Sequence, residues 1–221
     1  MTGSAADIRG HFDRFVNDGA FPCLAAKGVV RRQRHALGVF GALGEERAAT
    51  SVALGLAEFA AGLSPDTTQF AAYVAVFPDD PPGDEVEFEE RLWRQLRMLN
   101  ELDPATEWDP AVSDNPDDPH FSFSFAGNAF FVVGLHPLSS RIARRFEYPA
   151  LVFNPRSQFD GLRARGRYER LRDAIRARDV LLQGATNPML TDFGARSEAR
   201  QYSGRAVADD WRCPFDRGAS S

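Results

Sequence analysis

A β-hairpin over residues 121–135 constrains the fold of this chain more than any other feature. Residues 121–125 read FSFSF, and this strict alternation of phenylalanine and serine is typical of a half-buried strand. The next three residues, AGN, can turn the chain, and the following AFFVVGL is apolar throughout. A strand with no polar face has to be covered on both sides. The hairpin therefore predicts a sheet that other elements cover.

The rest of the chain supplies these elements. FAAYVAVF (70–77) and ALVFN (150–154) are short, apolar and rich in β-branched or aromatic residues, so they predict two further strands. Apolar residues recur at helical spacing over residues 8–17, about 33–61, about 84–102 and about 157–178. AFPCLAAKG (20–28) is predicted to be a tight apolar connection around its proline. DPATEWDPAVSDNPDDPH (103–120) predicts a long loop, which we expect to be a lid or rim over a ligand pocket.

These patterns predict an α+β fold, in which a small, mostly antiparallel sheet is covered by helices. At 221 residues the chain suits one domain, and we expect that domain to span residues 1–215. The last residues, 216–221, are polar and small, and they predict a disordered tail.

Charge and motif content narrow the function. A net charge of -5 gives no support to nucleic-acid binding or to a membrane-surface role. No segment approaches the ~18 apolar residues of a membrane span, and the polar N-terminus lacks the apolar core of a signal peptide. Nucleotide-binding glycine motifs, zinc-hydrolase motifs and the GxSxG elbow are absent from the sequence. We therefore expect a cytoplasmic protein with reduced cysteines and with neither nucleic-acid nor membrane partners.

The hairpin ends in a histidine that precedes several arginines. Pro137 disfavours helical backbone at His136, so the imidazole is predicted to sit in extended backbone at the end of the strand. The following SSRIARRF predicts a capped helix with Arg141, Arg144 and Arg145 on one side. An imidazole beside guanidinium groups suits an anionic ligand, or haem, whose iron takes histidine and whose propionates take arginine. The alternative is a hydrogen-bonded histidine at a strand end, with solvated arginines.

The two cysteines are rival iron ligands, because a thiolate also holds haem iron. Cys23 stands in FPC and Cys213 in CPF, and each can equally be a packed structural thiol. The other three histidines are weaker candidates. His11 is on the polar side of the first helix, His35 is expected at a solvated helix start, and His120 ends the acidic loop, where it could line the same pocket mouth as His136.

Near the C-terminus, SEARQYSG (197–204) combines an acid, an arginine, a tyrosine and small residues. Such a segment can recognise an amino-acid or guanidino substrate, with Glu198 as the charge partner and with Arg200 and Tyr202 as further substrate-binding candidates. A capped surface turn is the structural alternative.

Together these segments resemble the YqcI/YcgG family. The resemblance rests on FPC, on FSFSFAGNAFFVVGLHPLSSR, on LVFNPRSQFDGLR, and on SEARQYSG followed by WRCPF. They occur in the family's order and extend from about Phe21 to Phe215. One departure is Arg156, which stands where the family pattern carries a histidine.

The family includes haem-dependent N-hydroxylases of the guanitoxin and cycloserine pathways. The resemblance therefore implies a haem-dependent mono-oxygenase that hydroxylates a nitrogen of an arginine-like, guanidino or amino-acid substrate. It implies haem b as cofactor and His136 as the iron ligand, with Cys23 and Cys213 as rivals. The candidate cofactor-binding residues are His136, Arg141, Arg144, Arg145 and Arg156.

The implied partners are a small-molecule substrate, O2 and a separate electron donor, because no flavin or nicotinamide motif is visible in the sequence. A homodimer is left open. One alternative function is a non-catalytic haem- or small-ligand-binding protein, such as a sensor or carrier. Another is a haem-free protein in which His136 and its arginines bind a small anion.

Overall fold

The structure is a computed structural model that describes residues 4–217, except for residues 65, 67, 68, 104–106 and 193. The strands within these residues are β1 (His35–Val39), β2 (Ala72–Val76), β3 (Phe123–Phe125), β4 (Asn128–Leu135) and β5 (Ala150–Pro155). The α-helices are α1 (Ala5–Asn17), α2 (Leu24–Arg31), α3 (Glu46–Ala61), α4 (Glu85–Glu101), α5 (Ser157–Ala164), α6 (Tyr168–Gln183) and α7 (Ala199–Tyr202). A short 3-10 turn spans Ile142–Arg144.

The strands form one sheet in the order β1-β2-β5-β4-β3. β1 and β2 are parallel and are joined through α3, whereas every other neighbouring pair is antiparallel. This arrangement confirms the predicted α+β fold with a small, mostly antiparallel sheet.

The central hairpin is confirmed, and its turn has a clear physical basis. Ala126 and Gly127 lie between β3 and β4, and both have positive φ, at 50° and 68°. Two central residues with positive φ are the mark of a type I′ turn, whose twist matches the twist of the two strands. The carboxylates of Asp103 and Asp109 accept hydrogen bonds from backbone N–H groups at the hairpin, at 2.5 Å from Ala126 and at 2.9 Å from Ala129.

Three local predictions are wrong. The segment from about residue 33 does not begin a long helix, because His35–Val39 pairs with β2 as an edge strand and the helix starts at Glu46. AFPCLAAKG is not a connection throughout, since its second half opens α2. SSRIARRF forms only the short 3-10 turn rather than a helix.

The predicted helix over 157–178 is present but divided. Gly166 adopts a left-handed backbone with φ of 62° between α5 and α6, and a left-handed residue ends a helix.

The two faces of the sheet are covered differently. One face packs against α3, α4 and the C-terminal segment, and its core contains Phe88, Trp93, Phe130, Phe153 and Tyr202, all 1% exposed or less. The other face packs against α1 and α2 through a smaller cluster. Alternate residues of β4 serve the two faces: Phe130 and Val132 face the first, and Leu135 faces the second.

The chain termini and helices add two observations. Positions 218–221 of the predicted tail lie outside the described residues, and Arg217 stacks over Trp108 and pairs with Asp114. Among the helices of the described residues, none has the length and apolar character needed to cross a membrane.

Candidate functional site

A cavity of about 350 Å³ lies between the second face of the sheet and helices α1, α2, α5 and α6. The sheet contributes the apolar side chains of Val74, Phe131, Val133, Leu135 and Val152. The helices contribute, among others, Phe12, Val16, Val29, Phe159 and Leu171. A mostly apolar cavity of this volume with a few polar groups is typical of a small-molecule or cofactor site.

Cys23 lines this cavity at the start of α2. It is the N-cap residue of the helix, and its Sγ accepts a hydrogen bond from the backbone N–H of Ala26 at 3.4 Å. Burial raises the pKa of the Cys23 thiol, while the N–H groups of Ala26 and Ala25 and the charge of Lys27 oppose the rise. The free thiol is therefore protonated at neutral pH. A metal ion bound to it would remove that proton.

His35 lines the same cavity at the start of β1. Its side chain is 3% exposed, and its Nε2 lies 2.9 Å from Oδ1 of Asp13 and 3.4 Å from Nη1 of Arg9. Burial lowers the pKa of His35, against the raising effect of Asp13. Its Nδ1 has no hydrogen-bond partner within the described residues. The expectation of a solvated histidine is wrong here, because β1 pairing draws residue 35 into the sheet.

The three arginines that follow His136 are held by the protein itself. Arg141 donates to Asp179 in a buried ion pair. Arg144 donates to three backbone carbonyls, those of Gly134 at 3.1 Å, Tyr202 at 2.9 Å and Gln201 at 2.7 Å.

Burial lowers the pKa of Arg144 to about 10. Arg145 donates to the carbonyls of Ser139 at 2.6 Å and Ser140 at 3.4 Å. Arg141 and Arg144 line the cavity, but their donors are engaged with protein acceptors. These arginines therefore anchor the segment after β4 to α6 and α7.

Glu198 is the centre of a buried polar network on the cavity wall. Its Oε1 accepts hydrogen bonds from Ser122 Oγ and Tyr202 Oη, both at 2.6 Å, and its Oε2 lies 3.1 Å from Nη1 of Arg156. Glu198 and Arg156 both line the cavity. Burial raises the pKa of Glu198 to about 7, against the lowering effects of Ser122, Tyr202 and Arg156.

Tyr202 also accepts a hydrogen bond from the backbone N–H of Phe123 at 3.1 Å, and burial raises its pKa well above the ordinary value. The structure therefore brings together three of the sequence candidates, Arg156, Glu198 and Tyr202. Arg200 points elsewhere, since it stacks over Trp211 and donates to the carbonyls of Trp211 and Ala208.

Cys213 packs against the core on the first face of the sheet and is not part of the cavity lining. It packs beside the aromatic side chains of that core, and burial raises the pKa of its thiol to about 12. Its surroundings are those of a packing residue.

His136 occupies the first face of the sheet. Its position continues the series Phe130, Val132 and Gly134, which faces α4, whereas the cavity is lined by Val133 and Leu135. The ring is 0% exposed and stacks on Phe88 with 4.3 Å between centroids.

Within the described residues neither ring nitrogen of His136 has a hydrogen-bond partner. Burial lowers the pKa of His136 to about 4. The backbone N–H donates to the carbonyl of Arg144 at 3.0 Å. His136 is therefore a fully buried imidazole that is neutral at neutral pH.

The remaining histidines do not line the cavity. His11 pairs with Glu147 near the surface, and His120 has a side chain that is 63% exposed and lies 3.3 Å from Asp118. Over the described part of the chain, no cluster of three or more histidine, cysteine, aspartate or glutamate side chains is arranged to hold a metal ion. The described residues of the loop 103–120 pack through Trp108 onto Phe121 and Phe123, and they do not contribute to the cavity lining.

Comparison with known proteins assigns the chain to a family. The sequence model of the YqcI/YcgG family matches residues 12–216. The chain belongs to the YqcI/YcgG family.

One relative is "Uncharacterized protein YqcI" of Bacillus subtilis (strain 168), which is 29% identical over 166 residues. The match covers 69% of this chain and 64% of the relative, so it spans less than two thirds of the relative's length. No solved structure matches the chain.

In this YqcI/YcgG domain, the cavity residues that sequence reasoning missed come mainly from α6 and β1. His35, Arg172 and Arg176 line the cavity. The two arginines were not sequence candidates, and His35 was only a weak one, expected at a solvated helix start. A signal for the arginines was present, since Arg172 and Arg176 lie one helical turn apart on a helix with a weak apolar side. The signal for His35 was the short apolar run HALGV, which reads as a strand once a partner strand is known.

Proposed function

We propose that this chain is a haem-dependent mono-oxygenase that hydroxylates a nitrogen of a small guanidino or amino-acid substrate, with haem b in the cavity and Cys23 as its iron ligand. The observation that carries the proposal is the thiol of Cys23 on the wall of an apolar cavity. A thiolate ligand donates electron density to haem iron and favours cleavage of the O–O bond. The family resemblance suggests the reaction, and the cavity suggests where the haem binds.

The surroundings of Cys23 suit a thiolate once iron is bound. The Ala26 N–H already donates to Sγ, and the N-terminus of α2 carries the positive end of the helix dipole. Both effects favour negative charge on sulfur. The raised pKa of the free thiol does not oppose binding, because coordination deprotonates a thiol outright.

The lining of the cavity also suits the body of the cofactor, which is bulkier than about 350 Å³ and would need the helices to move away from the sheet. The sheet and the helices present apolar side chains on both sides of it, and apolar walls favour a flat, largely hydrophobic macrocycle over water. On the wall, Arg172 and Arg176 keep partial contact with solvent, and their guanidinium groups suit a propionate. A single side chain is enough to hold haem iron, so Cys23 alone would serve as its protein ligand.

Cys23 is a better candidate than His136 on geometry. His136 lies on the opposite face of the sheet from the cavity, and Phe88 stacks on its ring at 4.3 Å. Moving its imidazole into the cavity would require the chain to turn over just after β4, which would break the hydrogen bond from the His136 N–H to the Arg144 carbonyl and the stacking on Phe88.

Glu198 and Arg156 are the best candidates for contacting the substrate. They lie on the cavity wall, and they offer a carboxylate for a guanidinium or amine and a guanidinium for a carboxylate. Ser122 and Tyr202 hold one oxygen of Glu198 at 2.6 Å and so fix the orientation of the carboxylate. A fixed orientation lets this side chain position a substrate nitrogen.

When bound, haem supplies the oxygen chemistry, in which one atom of O2 enters the substrate N–H bond and the other leaves as water, at the expense of two electrons and two protons. The electrons come from a separate donor. The residues of the chain hold the substrate and exclude water from the apolar cavity.

The test begins with the absorption spectrum of the protein purified with haem supplementation. We expect a ferrous carbonyl complex with the red-shifted Soret band of thiolate-ligated haem. Cys23→Ser should lose that band, and Cys213→Ser is the matched control that should keep it. His136→Phe preserves a ring against Phe88, and it should keep the band as well.

Two outcomes would contradict the ligand assignment. One is an unchanged Soret band in Cys23→Ser, and the other is loss of the band in His136→Phe with haem retained in Cys23→Ser. The reaction is tested separately, by substrate-dependent oxygen consumption and by mass spectrometry for an added oxygen atom on nitrogen. Tight haem binding without turnover of guanidino or amino-acid substrates would instead indicate a haem carrier or sensor.

A further inference from the structure

Two arginines on α6 hold one carboxylate at the edge of the cavity. Arg172 Nη1 donates to Asp192 Oδ2 at 2.9 Å, and Arg176 Nη2 donates to Asp192 Oδ1 at 3.0 Å. The two arginines are one helical turn apart, so both guanidinium groups reach the same side chain. Both line the cavity, and the side chains of all three residues keep partial contact with solvent.

Asp192 ends a segment, residues 187–192, that covers one side of the cavity between α6 and α7. We call this segment the strap. Asn187, Leu190 and Thr191 of the strap line the cavity. Thr191 accepts a long hydrogen bond of 3.4 Å from Gln201, which is a weak contact. The ion pairs of Asp192 therefore link the strap directly to α6.

Two other arginines of the wall, Arg141 and Arg144, are more firmly engaged. Arg141 and Asp179 are both buried, and removing one partner of a buried ion pair is strongly unfavourable. Arg144 is committed to three backbone carbonyls. An ion pair with solvent access is worth little, so the carboxylate held by Arg172 and Arg176 can be exchanged for another at small net loss.

The charge of the wall indicates which kind of group would enter. Among the described residues that line the cavity, arginines outnumber carboxylates, which are Asp179 and Glu198. Both of these carboxylates are already paired with an arginine. A ligand that carries a carboxylate or a sulfonate beside an apolar body therefore matches both the wall and its charge.

We propose that Arg172 and Arg176 form an anion seat at the cavity edge, which Asp192 and an anionic group of the cavity's ligand occupy in turn. Entry of the ligand group displaces Asp192 and frees the strap from α6. The strap therefore opens and closes one side of the cavity, and the Asp192 carboxylate holds it closed. The seat itself does not depend on haem, and it rests on the proposed function only where the ligand group is a haem propionate.

Two dyes with the same ring system provide the test. 8-Anilinonaphthalene-1-sulfonate carries one sulfonate, and N-phenyl-1-naphthylamine lacks it. We expect Arg176→Gln to weaken binding of the sulfonate dye about fivefold and Asp192→Asn to tighten it by a similar factor. Binding of the neutral dye should be unchanged in both variants.

The matched controls lie on α6 at exposed positions. Arg170→Gln and Glu169→Gln make the same changes in net charge on exposed residues outside the cavity lining. Both should leave the sulfonate dye unaffected. Equal effects of the control and seat variants, an unchanged affinity in both seat variants, or failure of the wild-type chain to bind the sulfonate dye would overturn the seat.

Haemin and its dimethyl ester connect the seat to the proposed function. Arg176→Gln should slow and weaken haemin binding but not binding of the ester, and Asp192→Asn should speed haemin association. If the dye results are as expected but haemin binds neither the wild type nor the variants, the anion seat is supported and the haem proposal is wrong. If haemin binds with the same affinity to wild type and Arg176→Gln, the seat does not hold a propionate, and that part of the inference is wrong.

Discussion

His136 illustrates how one buried side chain ties stability to pH. The ring is fully enclosed, neither ring nitrogen has a partner in the described structure, and Phe88 covers one side. An ionised imidazole in such a place loses its hydration, and the charges of Glu85 and Asp84 offset only part of that cost. Burial therefore lowers the pKa of His136 from 6.5 to about 4 in the folded protein.

The sign of the effect follows from proton linkage. The unfolded chain binds the proton near pH 6.5, whereas the folded protein resists it down to about pH 4, so stability falls as the pH drops through this window. Between pH 7 and pH 5 the expected loss from this residue is about 2 kcal/mol of unfolding free energy.

Urea unfolding of wild type and His136→Phe at pH 7 and pH 5 measures this loss. Phenylalanine keeps a ring against Phe88 but cannot be protonated, so the variant should lose about 2 kcal/mol less than wild type over the same interval. Carboxylate titration affects both proteins alike and cancels in the comparison. An equal loss in the two proteins would show that His136 is accessible to protons in the folded state.

At the scale of the element, the approach of α4 and α7 to β4 depends on one glycine. A Cβ on Gly134 would lie 2.7 Å from Cε1 of Phe88 and 2.9 Å from the backbone oxygen of Tyr202. The first neighbour is the ring that stacks on His136, and the second is a backbone group that cannot move aside easily. The strand therefore requires a glycine at this position.

We expect Gly134→Ala to destabilise the folded protein by about 2 kcal/mol, because overpacking forces the helix or the α7 turn away from the sheet. Chemical denaturation measures the change. Gly19→Ala is the matched control, since a Cβ there meets nothing within 4 Å and its effect should be close to zero. Equal stabilities of the two variants would show that the close approach at Gly134 carries no strain.

The local pattern of apolar residues was sufficient to predict the elements whose own sequence shows which side chains are buried. The hairpin, α4 and the strands over 70–77 and 150–154 were all predicted in this way. β1 was not, because HALGV is an edge strand with mixed burial, and its partner β2 lies beyond the intervening helix α3. A pairing across so many residues leaves no local signal.

The candidate site was predictable only in part, for the same reason. Cys23 was proposed from its motif, and Glu198, Arg156 and Tyr202 were proposed as separate segments, but nothing in the sequence shows that Cys23, Glu198 and Arg156 share one cavity. The interpretation of His136 depended on the face of the sheet to which it points. That face is fixed by the register of β4 against β5, which is a tertiary property.

At the scale of the whole molecule, the sheet separates a packed half from a half that contains the cavity. In α4, seven residues are buried, including Phe88, Trp93 and Leu96. In α6, which has almost the same length, Asp179 is the buried residue, and Leu181 is 86% exposed. Local unfolding follows buried apolar contact, so the two halves should differ in their opening free energies.

Amide hydrogen exchange followed by mass spectrometry tests this difference. We expect peptides from α6 to exchange faster than peptides from α4 in the free protein, because opening α6 exposes little apolar surface. Haemin should slow exchange in α2 and α6, which border the cavity, and leave α4 unchanged, since a ligand stabilises the state that binds it. Cys23→Ser supplies the control, because loss of the iron ligand should remove most of the haemin protection in α2. Protection that appears instead around β4 and α4, on the side of His136, would move the ligand to the packed half and would contradict the cavity as its site.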